Sequence, residues 1–142
     1  MPVRIHHALV LAAKAQKNVT RPALCRIGLS PGQPKVLTFL SEHDGCMQKD
    51  IAEALDIEPA TISQILSKME QDGLIRRTNY AERRRADCVS ITEKGREACG
   101  RWVQICAETD RAALLGFSEQ EQQQFHDYLC RMYYNLTGKS VT

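Results

Sequence analysis

Pro59-Ala60-Thr61-Ile62-Ser63-Gln64-Ile65-Leu66-Ser67-Lys68-Met69-Glu70-Gln71-Asp72-Gly73 reads as one helix with a start, a stop and two unlike faces. Pro59 suits the first turn, where its missing N–H is not needed, and Gly73 suits a left-handed cap past the end. Ile62, Ile65, Leu66 and Met69 recur at i, i+3, i+4 and i+7, an apolar stripe that must turn inward. Thr61, Ser63, Gln64, Ser67 and Lys68 fall near or on the other side. They are hydrogen-bonding side chains and one cation, suited to base edges and phosphates. Directly downstream, Leu74 to Asn79 and Ala86 to Ile91 read as two short strands across a tip that holds Glu82-Arg83-Arg84-Arg85. A helix that could fill a DNA groove, followed by a charged hairpin, is the layout of a winged helix.

Upstream, Gln48 to Leu55 carries Ile51, Ala52 and Leu55 on one side. Only Asp56-Ile57-Glu58 separates it from Pro59, so the two helices form a helix-turn-helix unit. Before it, His43-Asp44-Gly45 reads as a turn. Ser30 as N-cap, Pro31 in the first turn and Gln33 at the third position form a capping box for a helix reaching about Glu42, with Gln33, Val36, Leu37 and Leu40 at helical spacing. Ile5, Ala8, Leu9 and Ala12 mark a first helix expected to end near Asn18, because Pro22 does not fit a helix interior. A short turn of helix can follow Thr20.

Downstream, Thr92 caps a long helix from Glu93 to about Leu115, and Ser118 with Glu121 makes a second capping box before a last helix reaching Leu136. Phe125, Leu129, Met132 and Leu136 line one side of it. A small winged helix does not need these apolar faces at both chain ends for its own core. Ile5, Leu9, Ala12, Phe125, Leu129, Met132 and Leu136 are therefore the expected dimer interface. The expected fold is mainly α with a small β-hairpin: a winged helix-turn-helix flanked by N- and C-terminal dimerisation helices. All 142 residues form one domain, with the lobe at 30–92 and the dimerisation helices at 1–29 and 93–142.

Composition agrees with a single core: 142 residues, 43% of them hydrophobic. The net charge of +2 decides nothing, but from Arg76 to Arg85 five arginines face the single acid Glu82. That is a basic patch on an otherwise balanced protein. No stretch approaches the roughly 18 apolar residues of a membrane span, and the start lacks a signal peptide's apolar run, so a cytoplasmic protein is expected. Six cysteines, at 25, 46, 88, 99, 106 and 130, show no Cys-x-x-Cys pair and no zinc-knuckle spacing. No metal or other cofactor is expected, and free thiols are. Cys99, Trp102, Val103 and Cys106 share a helical face, which makes two of the six small core residues.

With these residues in place the chain resembles the MarR family of bacterial transcription regulators along nearly its whole length. The most specific matches are Met69-Glu70-Gln71-Asp72-Gly73-Leu74-Ile75-Arg76-Arg77 and, after the wing, Val89-Ser90-Ile91-Thr92-Glu93-Lys94-Gly95. The resemblance implies a dimer with intertwined first and last helices, a recognition helix at Pro59 to Asp72 in the major groove, and Arg85 directed to the minor groove. Gln48 and Lys49 on the preceding helix and Arg76 at the strand root join Pro59, Thr61, Ser63, Gln64, Lys68, Arg83, Arg84 and Arg85 as the expected DNA-binding set. Three departures matter. Arg83 stands where the family's wing carries an Asp, Met47 where a Ser or Thr often caps the third helix, and Pro22 where relatives run on as helix.

The function expected from this is a dimeric repressor on double-stranded DNA, at an inverted-repeat operator, released by a small aromatic or amphipathic ligand. A winged helix that docks a protein partner is disfavoured by the arginine-rich wing and the non-aromatic outer face of the Pro59 helix. An enzyme is disfavoured because no paired carboxylates, Gly-rich loop, or Cys or Ser with a base beside it can be read. His6, His7, His43 and His126 are scattered. The alternative switch is cysteine oxidation, for which Cys25, between Pro22 and Arg26 at the joint of dimer helix and lobe, is the first candidate.

Overall fold

The computed structural model describes residues 2–78 and 88–141. The elements are α1 (Ile5–Arg26), α2 (Gln33–Glu42), β1 (Cys46–Met47), α3 (Gln48–Leu55), α4 (Pro59–Gln71), β2 (Ile75–Thr78), β3 (Cys88–Ile91), α5 (Glu93–Ala113) and α6 (Glu119–Thr137). The chain divides into two compact units, Met1–Ala107 and Glu108–Thr142, and α5 runs through the division. The hydrophobic core lies in the first unit. Val36, Leu37 and Leu40 of α2 meet Ile51 of α3, Ile62, Leu66 and Met69 of α4, Ile75 of β2 and Val89 of β3, all with essentially no solvent exposure.

Helix α4 follows the sequence pattern closely. Three residues of its apolar stripe are fully buried and Ile65 packs at the edge of the core. Its end is a Schellman motif: Leu74 N–H donates to the Met69 carbonyl at 2.9 Å and Gly73 N–H to the Glu70 carbonyl at 3.1 Å, with Gly73 at φ +74°. The turn from α3 is equally tight. Asp56 takes the left-handed conformation at φ 53°, and Ile57 N–H closes onto the Ala52 carbonyl at 3.0 Å. Asp tolerates this better than most non-glycine residues.

The sheet has three antiparallel strands in the order β1-β3-β2. β2 and β3 form the expected hairpin, registered from Ile75 opposite Ile91 to Thr78 opposite Cys88. The third strand was not expected. Cys46–Met47 is two residues long, too short for alternation to show, and exists because β3 offers it an edge, Cys46 facing Val89 and Met47 facing Cys88.

Three other expectations change. The first helix does not end near Asn18: α1 continues through Pro22 to Arg26. The ring removes one backbone bond, but the next turn is held by Leu24, buried in the core, and by Leu29 N–H donating to the Leu24 carbonyl at 3.1 Å. Ser30 does not cap α2, which starts at Gln33 after a left-handed Gly32. Half the capping box survives, since Ser30 N–H donates to Gln33 Oε1 at 3.0 Å, while the Ser30 hydroxyl accepts from Lys68 Nζ at 2.9 Å. On α5, Cys99 is buried but Val103 is exposed, so the shared face is only partly core.

Other caps form as read. Thr92 Oγ1 accepts from Gly95 N–H at 3.1 Å at the start of α5. Ser118 and Glu121 exchange both capping-box bonds, at 3.1 and 2.8 Å, at the start of α6. The cap lost at Met47 is partly replaced, because Met47 N–H donates to the Asp50 carboxylate at 3.3 Å.

Candidate nucleic-acid interface

The burial of Ile62, Leu66 and Met69 fixes which side of α4 faces solvent. Thr61, Gln64 and Lys68 are exposed along one stripe, Pro59 is exposed at the helix start, and Ser63 is half-buried beside the stripe. Ser63, Gln64, Ser67, Lys68 and Gln71 line one shallow surface depression. From the preceding helix Lys49 is exposed and Gln48 half-buried, and Arg76 on β2 is exposed. Pro59, Thr61, Ser63, Gln64 and Lys68 thus share one helix backed by the core, while Gln48 and Lys49 stand on α3 and Arg76 on β2. Arg83, Arg84 and Arg85 lie outside the described residues.

Arg77 and Glu70, which the sequence reading left out of that set, meet Ser67 beside this surface. Arg77 Nη2 donates to Ser67 Oγ at 3.1 Å and to Glu70 Oε1 at 3.2 Å, and Arg77 N–H donates to Glu70 Oε2 at 3.2 Å. Ser67 Oγ in turn donates to the Ser63 carbonyl at 2.9 Å. A signal for this existed: strand alternation puts Arg77 on the side of buried Ile75, toward α4, and Arg76 on the other. Lys68, read as a cation suited to phosphates, donates from Nζ to Ser30 Oγ on the loop before α2.

Behind this surface, Asp44 ties three elements together. Its Oδ1 accepts from Ile91 N–H at 2.9 Å and its Oδ2 pairs with Arg96 at 3.1 Å. On the other side Thr92 Oγ1 donates to the Gly73 carbonyl at 2.6 Å and Lys94 Nζ to the Asp72 carbonyl at 2.7 Å. The carbonyl end of α4 is thereby anchored to the start of α5.

Ile5, Phe125 and Leu136 are 55%, 46% and 75% exposed. Ala12 and Leu129 are also exposed, and Leu9 and Met132 half-buried. These faces stand uncovered in the single chain. Among the described residues there is no cluster of three or more metal-ligating side chains and no helix long and apolar enough to cross a membrane. Cys25 is exposed. Cys46 is half-buried, and burial first, then the Asp50 charge, pushes its thiol above the ordinary value.

One expectation about chemistry is corrected here. A thiol does stand beside a base: Cys130 Sγ is 3.6 Å from His126 Nε2, one helical turn earlier on α6. The two are four positions apart in the sequence and meet because i and i+4 lie on one face of a helix.

The MarR family model matches residues 29–86, from the loop before α2 to just before β3. A solved structure described as the transcriptional regulator SlyA superposes with a TM-score of 0.84 at 28% identity, covering 94% of each chain. Over residues 29–86 the chain is similar to the MarR family. The organic hydroperoxide resistance transcriptional regulator of Bacillus subtilis is 28% identical over 125 residues, 88% of this chain and 82% of that protein. The fold also matches a solved S. aureus MepR–DNA complex, with a TM-score of 0.83 at 24% identity, covering 94% of this chain and 99% of that one. The chain spans only 64% and 44% of two further curated relatives.

Proposed function

We propose that this chain belongs to the MarR family and regulates transcription as a homodimeric repressor, each subunit placing α4 in the major groove of an inverted-repeat operator. The observation that carries the reading is the pairing of faces on α4: an exposed stripe of Thr61, Gln64 and Lys68 on a helix whose other side is locked into the core. A recognition helix needs polar groups of the right reach and a backbone that does not yield when they bind. The basic stretch around Arg83, Arg84 and Arg85 supplies the phosphate attraction that such binding requires. The MepR–DNA complex supports the reading by its fold. DNA binding also sets the compartment as the cytoplasm.

The exposed apolar side chains of α1 and α6 support dimerisation, since large uncovered apolar faces are unfavourable on a monomer. A two-fold dimer reads a two-fold site, with half-site centres about 10 base pairs apart or slightly more. Footprinting on the DNA upstream of its own gene tests the proposal. A protected inverted repeat is expected, with sedimentation showing a dimer. A stable monomer, or protection without symmetry, would overturn it.

For the signal, the reading is a small aromatic or amphipathic ligand that releases the operator. Cys25, the thiol candidate, is exposed with no base beside it among the described residues, whereas Cys130 has His126. Operator release by aromatic acids, with peroxide-insensitive binding, is the expected result. Reversible release by hydroperoxide, abolished by Cys25→Ser or Cys130→Ser, would replace the ligand by a thiol switch.

A further inference from the structure

We propose that Arg77 is a positioning residue of the DNA-binding surface. Through Ser67 and Glu70 it clasps the strand leading into the wing onto α4, so that the helix and the wing engage DNA as one unit. The inference rests on the DNA-binding reading of α4.

The clasp has three bonds from one residue to two neighbours on consecutive turns of the helix. The guanidinium reaches Ser67 and Glu70, and the backbone N–H of Arg77 takes the second oxygen of the same carboxylate. Arg77 is only 19% exposed in its side chain, against 43% for Glu70, so the pair is partly withdrawn from solvent. Both side-chain bonds leave from Nη2, whose two N–H groups lie at fixed directions in the guanidinium plane, whereas a lysine ammonium rotates on a flexible stem. Arg77 sits opposite Val89, and Thr78, the next residue, opposite Cys88, so the clasp acts on the hairpin rungs nearest to residue 79 among the described residues.

Two consequences separate this role from direct contact. Ser67 is spent as a donor, its hydroxyl proton going to the Ser63 carbonyl and its oxygen accepting from Arg77. It cannot donate to a base without breaking the chain of bonds. Glu70 is an acid on the recognition helix and repels phosphate. By charge alone its removal would raise affinity for every duplex; as part of the clasp its removal lowers discrimination between operator and random DNA.

The experiment measures binding of the full chain to its operator and to a random duplex over a salt series, for wild type, Arg77→Ala, Arg77→Lys, Glu70→Gln, Glu70→Ala and the Arg77→Ala/Glu70→Ala double variant. A thermal melt confirms that each is folded. Arg77→Ala is expected to lower the operator-to-random ratio by about tenfold, the scale of one mismatched base pair, with an unchanged salt slope. Glu70→Ala should lower the ratio similarly, Glu70→Gln and Arg77→Lys less, and the double variant no further than Arg77→Ala. Glu70→Gln keeps the side chain's shape and tests the pair even if Arg77→Ala does not fold. A salt slope lower by about 1 in Arg77→Ala would make Arg77 a phosphate contact and overturn the positioning role. Tighter binding of both duplexes by the Glu70 variants, with the ratio intact, would overturn it too. A wild-type chain that binds no duplex would instead fail the DNA-binding reading itself.

Discussion

Replacing Gly95 and Gly100 by alanine should change stability in opposite directions, although the two lie five residues apart on the same helix. A glycine-to-alanine change inside a helix contributes about 1 kcal/mol of stability when the new methyl group meets nothing. At Gly100 it meets nothing within 4 Å. At Gly95 the Cβ would overlap the Leu74 carbonyl oxygen and come within 2.8 Å of Ile91 Cγ1. Neither can step aside cheaply. The Leu74 carbonyl accepts from Thr92 N–H at 3.1 Å, and Leu74 and Ile91 are core residues.

The start of α5 must therefore withdraw. Overpacking of this kind costs about 1–3 kcal/mol. Withdrawal also weakens the Thr92 bonds to the Leu74 and Gly73 carbonyls, each contributing about 0.5–1.5 kcal/mol. After the helix-propensity gain is subtracted, Gly95→Ala should lose about 2–4 kcal/mol while Gly100→Ala gains up to about 1. For a chain of this size that is a melting point about 6–12 °C lower in the first and about 3 °C higher in the second. Thermal unfolding followed by circular dichroism, at one fixed protein concentration because a dimer's stability depends on it, reads both. A Gly95→Ala variant that melts at or above wild type would refute the steric argument, and with it the account of why a glycine stands there.

At the helix-turn-helix corner, Asp56→Val should cost about 1–2 kcal/mol because a β-branched residue resists positive φ, while Asp56→Gly stays within about 1 kcal/mol of wild type; urea unfolding measures both. Iodoacetamide at about pH 8.5 should modify exposed Cys25 before Cys46, since burial and Asp50 disfavour the Cys46 thiolate. A thiol raised in the folded state costs no stability below the ordinary value of 9.0 and lowers it as pH climbs beyond, so melts at rising pH should show an alkaline loss that is smaller in Cys46→Ser. Arg85→Ala should weaken binding to all duplexes and lower the salt slope by about 1, and Arg83→Asp should raise operator selectivity at the expense of non-specific affinity; an unchanged salt dependence in the Arg85 variant would remove the wing from the interface.

The sequence by itself determined the elements whose signals are local. The ends of α4, the short turn from α3, the caps at Thr92 and Ser118, and the inward face of Ile62, Leu66 and Met69 depend on residues a few positions apart, where helical geometry leaves little choice. It also marked the outer stripe of α4, because a helix with one buried side has only the other to present. Only the tertiary structure decided the rest. Two residues of β1 have no periodicity of their own and become a strand because β3 provides an edge. Pro22 stays within α1 because Leu24 beyond it is anchored in the core, a gain no local rule contains. Arg77 was one arginine in a basic run until β2 was laid against α4, where Ser67 and Glu70 turned it from a free charge into a clasp. Gly95 looks permissive in sequence, and it is the packing of Leu74 and Ile91 against α5 that makes any side chain there too large.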